Sequence, residues 1–323
     1  MTLYKYIYKY FEILAISIIL LFFTSTVAYS LGTQVVILTS HDFYPYTITE
    51  KAIVNVMHSS LADVIIKKYV LSLWKDKEKS LINNIKSIRP DVIITLGTPA
   101  SILIHKQLNS IPQVFALVVD PWRRGLIGRN IAGICLKIPV VKQLKELVRV
   151  AHAKFIGIIW TKGHKEHFNE KVILQLAKEL DVRLIIKTVE NSKQLPKAFQ
   201  QEINYGIDSF IMVADPVLYN NLLAVKYIIT QGIKYHIAVM GLAACYVTHG
   251  AFIALQPDYN YIGVQAARMA IAKLLESNDI TSTSNYISIQ YPGKYILYIN
   301  LTIAKLLHIK ILPSIKNTAV LVE

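Results

Sequence analysis

The chain has 323 residues, 53% of them hydrophobic and 17% charged, which excludes a disordered polypeptide and exceeds what one hydrophobic core usually fills, so two domains are expected. Its formal net charge is +14, yet the cations are scattered instead of blocked, and no helix-turn-helix or zinc-finger spacing accompanies them. That speaks against nucleic acid as a partner and leaves a solvated surface, an anionic membrane surface or an acidic partner.

The chain opens with Lys5 and Lys9 ahead of an uncharged apolar run, 13–23, and a small-residue stretch, 24–30, which is the pattern of a signal peptide over residues 1–30. Tyr4, Tyr6, Tyr8 and Tyr10 make a membrane-interface-like flank that suits the competing reading, an uncleaved N-terminal anchor. The expected location is periplasmic or secreted, and no later segment is long and apolar enough to cross a bilayer. A strand is expected at 34–39, ending at Ser40-His41-Asp42-Phe43-Tyr44, then a helix from about Thr49, a strand at 64–70, and a helix with the stripe Leu81, Ile82, Ile85 and Ile88. Residues 89–121 then read as one parallel βαβ unit. The runs 91–96 and 113–119 are its strands; Gly97 turns, Thr98 can cap, Pro99 takes the first helical position, and Ala100, Leu103, Ile104 and Leu108 line the buried face. Gly97-Thr98 and Asp120-Pro121 therefore meet at one sheet edge, beside a helix N-terminus that favours a carboxylate.

Gly125, Gly128 and Gly133 punctuate 126–134, which reads as a crossing between domains. The alternation then restarts: a helix through Val141, Leu144, Val148 and Ala151, a strand at 155–160, a helix through Val172, Ile173, Leu176 and Leu180, and a strand at 183–189. Ser192 can cap a helix closing at Gly206, a strand at 207–214 ends at Asp215-Pro216, and a strand at 235–240 ends at Gly241. The tail offers a strand at 250–255, a helix at 259–275, extended pieces at 286–291 and 294–300, and a short helix at 302–308. These are too few to stand alone and must return to the two lobes. The fold class is α/β, two doubly wound lobes, and ligands of such sheets bind beyond the carboxyl ends of the strands.

The segments GTPAS, IPQVFALVVDP, NIAGICL, GAFIALQPDYNYIGVQAARMAIAKLL and YINLTIAKLLHIKI resemble, in order and spacing, substrate-binding proteins of ABC transporters related to the tryptophan/tyrosine-binding lipoprotein group. The resemblance implies a type I periplasmic-binding-protein fold, with three crossings and a ligand cleft between Rossmann-like lobes. It divides the chain into 31–131 plus 250–279 as N-terminal lobe, 132–249 plus 280–312 as C-terminal lobe, and 313–323 as tail. It implies capture of a small polar solute, an amino acid or related carboxylate, for an ABC permease and ATPase, by a monomer without cofactor. The alternative is a periplasmic sensor that presents its bound state to a membrane receptor or sensor kinase. Two departures stand out: 160–167 is more basic than the corresponding family loop, and a lipidation cysteine is absent.

Strand-end geometry nominates the ligand contacts. In the first lobe these are Ser40, Asp42, Tyr44, Gly97, Thr98, Pro99, Ala100 and Asp120; in the second, Thr161, Asn169, Asp215 and Gly241. Asp120 and Asp215, each followed by proline, also suit plain turn and cap chemistry, and Tyr44, Tyr46 and Trp122 suit lobe packing as well as ring stacking. No GxSxG, Walker, GxGxxG or HExxH pattern occurs, so no catalysis is expected. His164 and His167 with Glu170 read as a solvated loop sooner than a metal site. Cys135 and Cys245 have no CxxC spacing, and pairing or two free thiols both remain open.

Overall fold

A computed structural model describes residues 32–163, 169–219, 221–276 and 289–323. In strand β1 (Thr33–Thr39), Val35 and Ile37 enter one hydrophobic cluster while Val36 and Leu38 enter another. Successive side chains of a strand point to opposite faces, so a continuous apolar run demands cover on both. The following elements supply it: α1 (Tyr46–Ser60), β2 (Val64–Val70), α2 (Glu78–Ile88), β3 (Val92–Leu96), α3 (Thr98–Gln107), β4 (Gln113–Val118) and β5 (Ile131–Cys135). The chain then runs through α4 (Val140–Ala151), β6 (Phe155–Thr161), α5 (Glu170–Glu179), β7 (Arg183–Val189), α6 (Leu195–Asn204), β8 (Ser209–Ile211), α7 (Leu222–Lys234), β9 (Ala238–Gly241), α8 (Ala244–Thr248) and β10 (Ile253–Pro257). It closes with α9 (Tyr259–Glu276), β11 (Ile289–Gln290), β12 (Tyr295–Asn300), α10 (Leu301–Leu306), α11 (Pro313–Lys316) and β13 (Val320–Val322).

The first sheet has the order β11-β5-β4-β3-β1-β2 and is parallel throughout. One face is covered by α1 and α9, the other by α2 and α3. Gln113, buried in β4, locks α3 onto the sheet: its Nε2 donates to Thr95 Oγ1 and to the Ser101 carbonyl, each at 3.0 Å. The second sheet has the order β13-β12-β10-β9-β8-β6-β7, parallel except for β10 against β12. Here Ile156, Ile158 and Trp160 face α4 and α5, while Ile159 and Phe210 face α6 and α7.

Three segments pass between the sheets: 136–139 after β5, Asp258 after β10, and 291–294 after β11. Several boundaries read from the sequence move accordingly. Residues 131–135, where the glycines suggested a crossing, form a buried strand of the first sheet: Ile131 and Cys135 pack with Phe115, Val118 and Leu126, and Ile134 packs on the other face with α1 and α9. Residues 253–257 pair with β9 and β12 and so belong to the second sheet, whereas β11 belongs to the first. The C-terminal stretch is no tail: Ile315 is buried and β13 extends the sheet beside β12. The 207–214 run contributes a ladder of only three residues, and Asn191, not Ser192, caps the turn before α6. Both cysteines are free, Cys135 buried and Cys245 exposed.

One buried carboxyl breaks the apolar pattern of α6. In α6 the stripe Leu195, Ala198, Phe199 and Glu202 places a carboxyl at a core position. Gly157 makes room for it, since a Cβ there would collide with Glu202 Oε2. Burial pushes this carboxyl from 4.5 up to about 8, against the opposing pull of Lys187 and the Ile158 N–H. The group is therefore protonated in the folded state at neutral pH, and the unfolded chain binds fewer protons between those two values. Stability should be unaffected below 4.5 and fall as pH rises toward about 8, by roughly 1.4 kcal/mol per unit at most. Thermal unfolding of Glu202→Gln should lose that alkaline decline while the parent keeps it.

Candidate functional site

The carboxyl ends of both sheets face each other across a cavity of about 300 Å³. The first lobe and first crossing contribute Val119, Leu136 and Ile138; the second lobe contributes Ala214, Asp215, Pro216 and Tyr219 after β8, and Leu242, Ala243 and Tyr246 after β9. Pro257 and Tyr259, on either side of the second crossing, complete the wall. The lining is mostly aliphatic and aromatic, with tyrosine hydroxyls and one carboxylate as its polar elements.

That carboxylate is held by its own lobe. Asp215 is 1% exposed; its Oδ2 accepts the Thr161 N–H at 2.8 Å and the Thr161 hydroxyl at 2.7 Å, and its Oδ1 accepts the Val217 and Leu218 N–H groups at 3.0 and 3.3 Å. It thus ties the end of β6 to the turn after β8. The Tyr219 hydroxyl is different: it is buried and has no hydrogen-bond partner among the described residues. Burial first, then the neighbouring Asp215, Glu202 and Tyr246, raise its pKa well above the ordinary value, so it remains a donor. Burial likewise lifts Tyr259 to about 12, and its ring meets Tyr44 edge-on with centroids 5.4 Å apart. Gly241 is required where it stands, because a Cβ would strike Tyr246.

In the first lobe, Ser40, Gly97, Thr98, Pro99 and Ala100 come together at the start of α3. Gly97 takes φ +89°, open to glycine, and a Cβ there would lie 2.7 Å from Ser40 Oγ and 2.8 Å from Tyr46 Cε1. The expected Thr98 cap is not formed. Gly97 is the N-cap, and Ser40 Oγ instead accepts the Ala100 N–H at 3.1 Å, reaching across from β1. The Ser101 N–H goes to the Gly97 carbonyl at 3.1 Å, and Pro99 has none, which leaves Thr98 as the outward polar residue of that turn. Asp120 is buried against Lys137 in an ion pair that joins the end of β4 to the first crossing. Asp42 and Tyr44 are exposed, and Asn169 caps α5, accepting the Val172 N–H at 3.3 Å.

Of the twelve nominated residues, Asp215 alone borders the cavity, with Thr161 directly behind it. The tyrosines Tyr219, Tyr246 and Tyr259 were not nominated. Their signal was available: each follows the end of a strand by two to eight residues, the position already used to nominate aspartates. His164 and His167 lie outside the described residues, and among those described no group of three metal-ligating side chains occurs. No described helix is long and apolar enough to cross a membrane.

Comparison with known proteins places this architecture. The ligand-free, open structure of CD0873 from Clostridium difficile, a substrate-binding protein with adhesive properties, superposes with a TM-score of 0.67 at 17% identity, over 90% of this chain and 99% of that one. An ABC domain from Streptococcus pneumonia in complex with L-Trp gives 0.56 at 16% identity, over 90% and 100%. A conserved domain protein from Vibrio cholerae gives 0.56 at 21% identity, over 90% and 100%. These likenesses show the type I periplasmic-binding-protein fold. No curated protein matches the sequence. The model of the family described as ABC transporter substrate binding protein matches residues 57–322, and the chain belongs to that family.

Proposed function

We propose that the chain is the extracytoplasmic, non-enzymatic solute-binding component of an ABC-type importer, and that it captures an amino acid or related carboxylate between its lobes. The observation that carries this reading is the cavity itself, built from strand ends of both sheets and flanked by two of the three crossings, so that a bound solute touches both lobes at once. Val119, Leu136, Leu242 and the tyrosine rings offer an apolar body its surroundings. Tyr219 offers a hydrogen bond to an oxygen of the solute, and Thr98, which stands at the α3 start outside the cavity wall, would offer a second from the opposite lobe once the lobes close on it. The presence of L-Trp in the related streptococcal domain supports a solute of this size and type. Export by the N-terminal leader, a monomeric state, and a permease and ATPase as partners complete the proposal.

A solute that binds only the folded protein at a hundred times its dissociation constant adds about 2.7 kcal/mol of stability. Thermal unfolding against amino acids, aromatic acids, sugars and nucleosides should therefore show a raised midpoint with amino acids or carboxylates; a shift confined to sugars or nucleosides would refute the assignment. Titration calorimetry with the solute so found should give on the order of tenfold weaker binding for Tyr219→Phe, and roughly fivefold weaker for Thr98→Val, each with an unchanged unfolding midpoint of the empty protein.

A further inference from the structure

Within the connection from β4 to β5, residues 121–130 carry Arg123, Arg124 and Arg129, and no acidic residue occurs anywhere in 121–145. Pro121 and Leu126 are buried and anchor the connection. Between them a tight turn closes through Leu126 N–H to the Pro121 carbonyl at 3.0 Å and Gly125 N–H to the Trp122 carbonyl at 3.1 Å. The turn presents Trp122, Arg123, Arg124 and Gly125 outward, and a Cβ at Gly125 would meet nothing within 4 Å, so the tip protrudes. Trp122 is 40% exposed and stands 6.3 Å from the ring of Tyr291, itself 43% exposed; Ile127 is 57% exposed. Lys273 of α9 joins the same surface, its Nζ donating to the Arg129 carbonyl at 3.3 Å.

We infer that this turn is a contact for an anionic lipid surface. A solvated basic loop has no use for an exposed tryptophan, tyrosine and isoleucine set between its arginines, whereas the headgroup layer of a bilayer accommodates both: phosphates meet guanidinium groups, and amphipathic rings lodge at the boundary with the acyl chains. An acidic peptide would be held in a groove, and here the side chains stand on a protruding turn. The surface is distinct from the ligand cavity, whose lining contains none of these residues.

Co-sedimentation of the full chain with phosphatidylcholine vesicles containing phosphatidylglycerol, against phosphatidylcholine alone, tests the inference. The anionic vesicles should bind more tightly, with the excess lost at high salt. Each basic residue near such a surface contributes roughly fivefold in affinity, so R123Q/R124Q/R129Q should reduce the excess by about a hundredfold with its unfolding midpoint unchanged. Any insertion of the N-terminal run, with Lys5 and Lys9 beside it, is common to parent and variant and cancels between them on the same vesicles. Trp122 should also shift its emission to the blue on anionic vesicles and be quenched by a brominated lipid, signals absent from W122F. Equal anionic binding by the triple variant overturns the inference. So does tight binding to soluble polyglutamate with no blue shift on vesicles, which would assign the turn to an acidic protein.

Discussion

Parallel strands joined by right-handed crossovers all finish at the same edge of their sheet, and the rest of this molecule depends on that constraint. β1, β3 and β4 deliver Ser40, Gly97 and Val119 to one rim; β6, β8 and β9 deliver Thr161, Asp215 and Leu242 to the other. The runs that enforce the pairing are buried on both faces, so a strand cannot slip by one residue without exchanging its two hydrophobic clusters. Burial of side chains that never touch a ligand thus determines where the ligand-facing loops emerge.

Charge at those rims is mostly consumed internally. Asp120 is matched by Lys137, and Asp215 by four donors of its own lobe. Removing either aspartate would strand buried partners, so both positions are constrained by architecture before any solute enters. What remains facing the cavity is a largely uncharged wall with phenolic donors, suited to discriminating by shape and by single hydrogen bonds. The positive charge of the chain is carried outside the cavity, on surfaces such as the turn after β4.

Much of the fold was legible because it rests on short-range pattern. The runs 91–96 and 183–189, the stripe Leu81, Ile82, Ile85, and the Gly97 turn appear where periodicity and turn chemistry place them. Misreadings fell where tertiary context overrides local texture: Gly133 looks like a linker, yet it is a strand residue whose missing side chain lets Phe115 lie against the backbone. The site was less legible. Strand ends identify which loops converge, but whether a polar group points at solvent, at a helix end or at a ligand depends on partners from distant sequence. Ser40, sixty residues from the N–H it accepts, illustrates this. Spacing from strand ends points to Tyr219, Tyr246 and Tyr259, but no spacing records that packing leaves the Tyr219 hydroxyl without a partner among the described residues.

The side chain of Gln265 in α9 reaches the third crossing twice, donating to the Tyr291 carbonyl at 3.3 Å and accepting the Gly293 N–H at 2.8 Å. That double clasp fastens most of the crossing to the first lobe as one piece. Relative rotation of the lobes then has to be absorbed by the few bonds around Lys294, beside Asp258, whose N–H bonds the Lys294 carbonyl at 3.0 Å, and by 136–139. Two of the three crossings thus lie side by side, joined by that hydrogen bond, so a rotation of one lobe against the other would bend both at one level of the molecule.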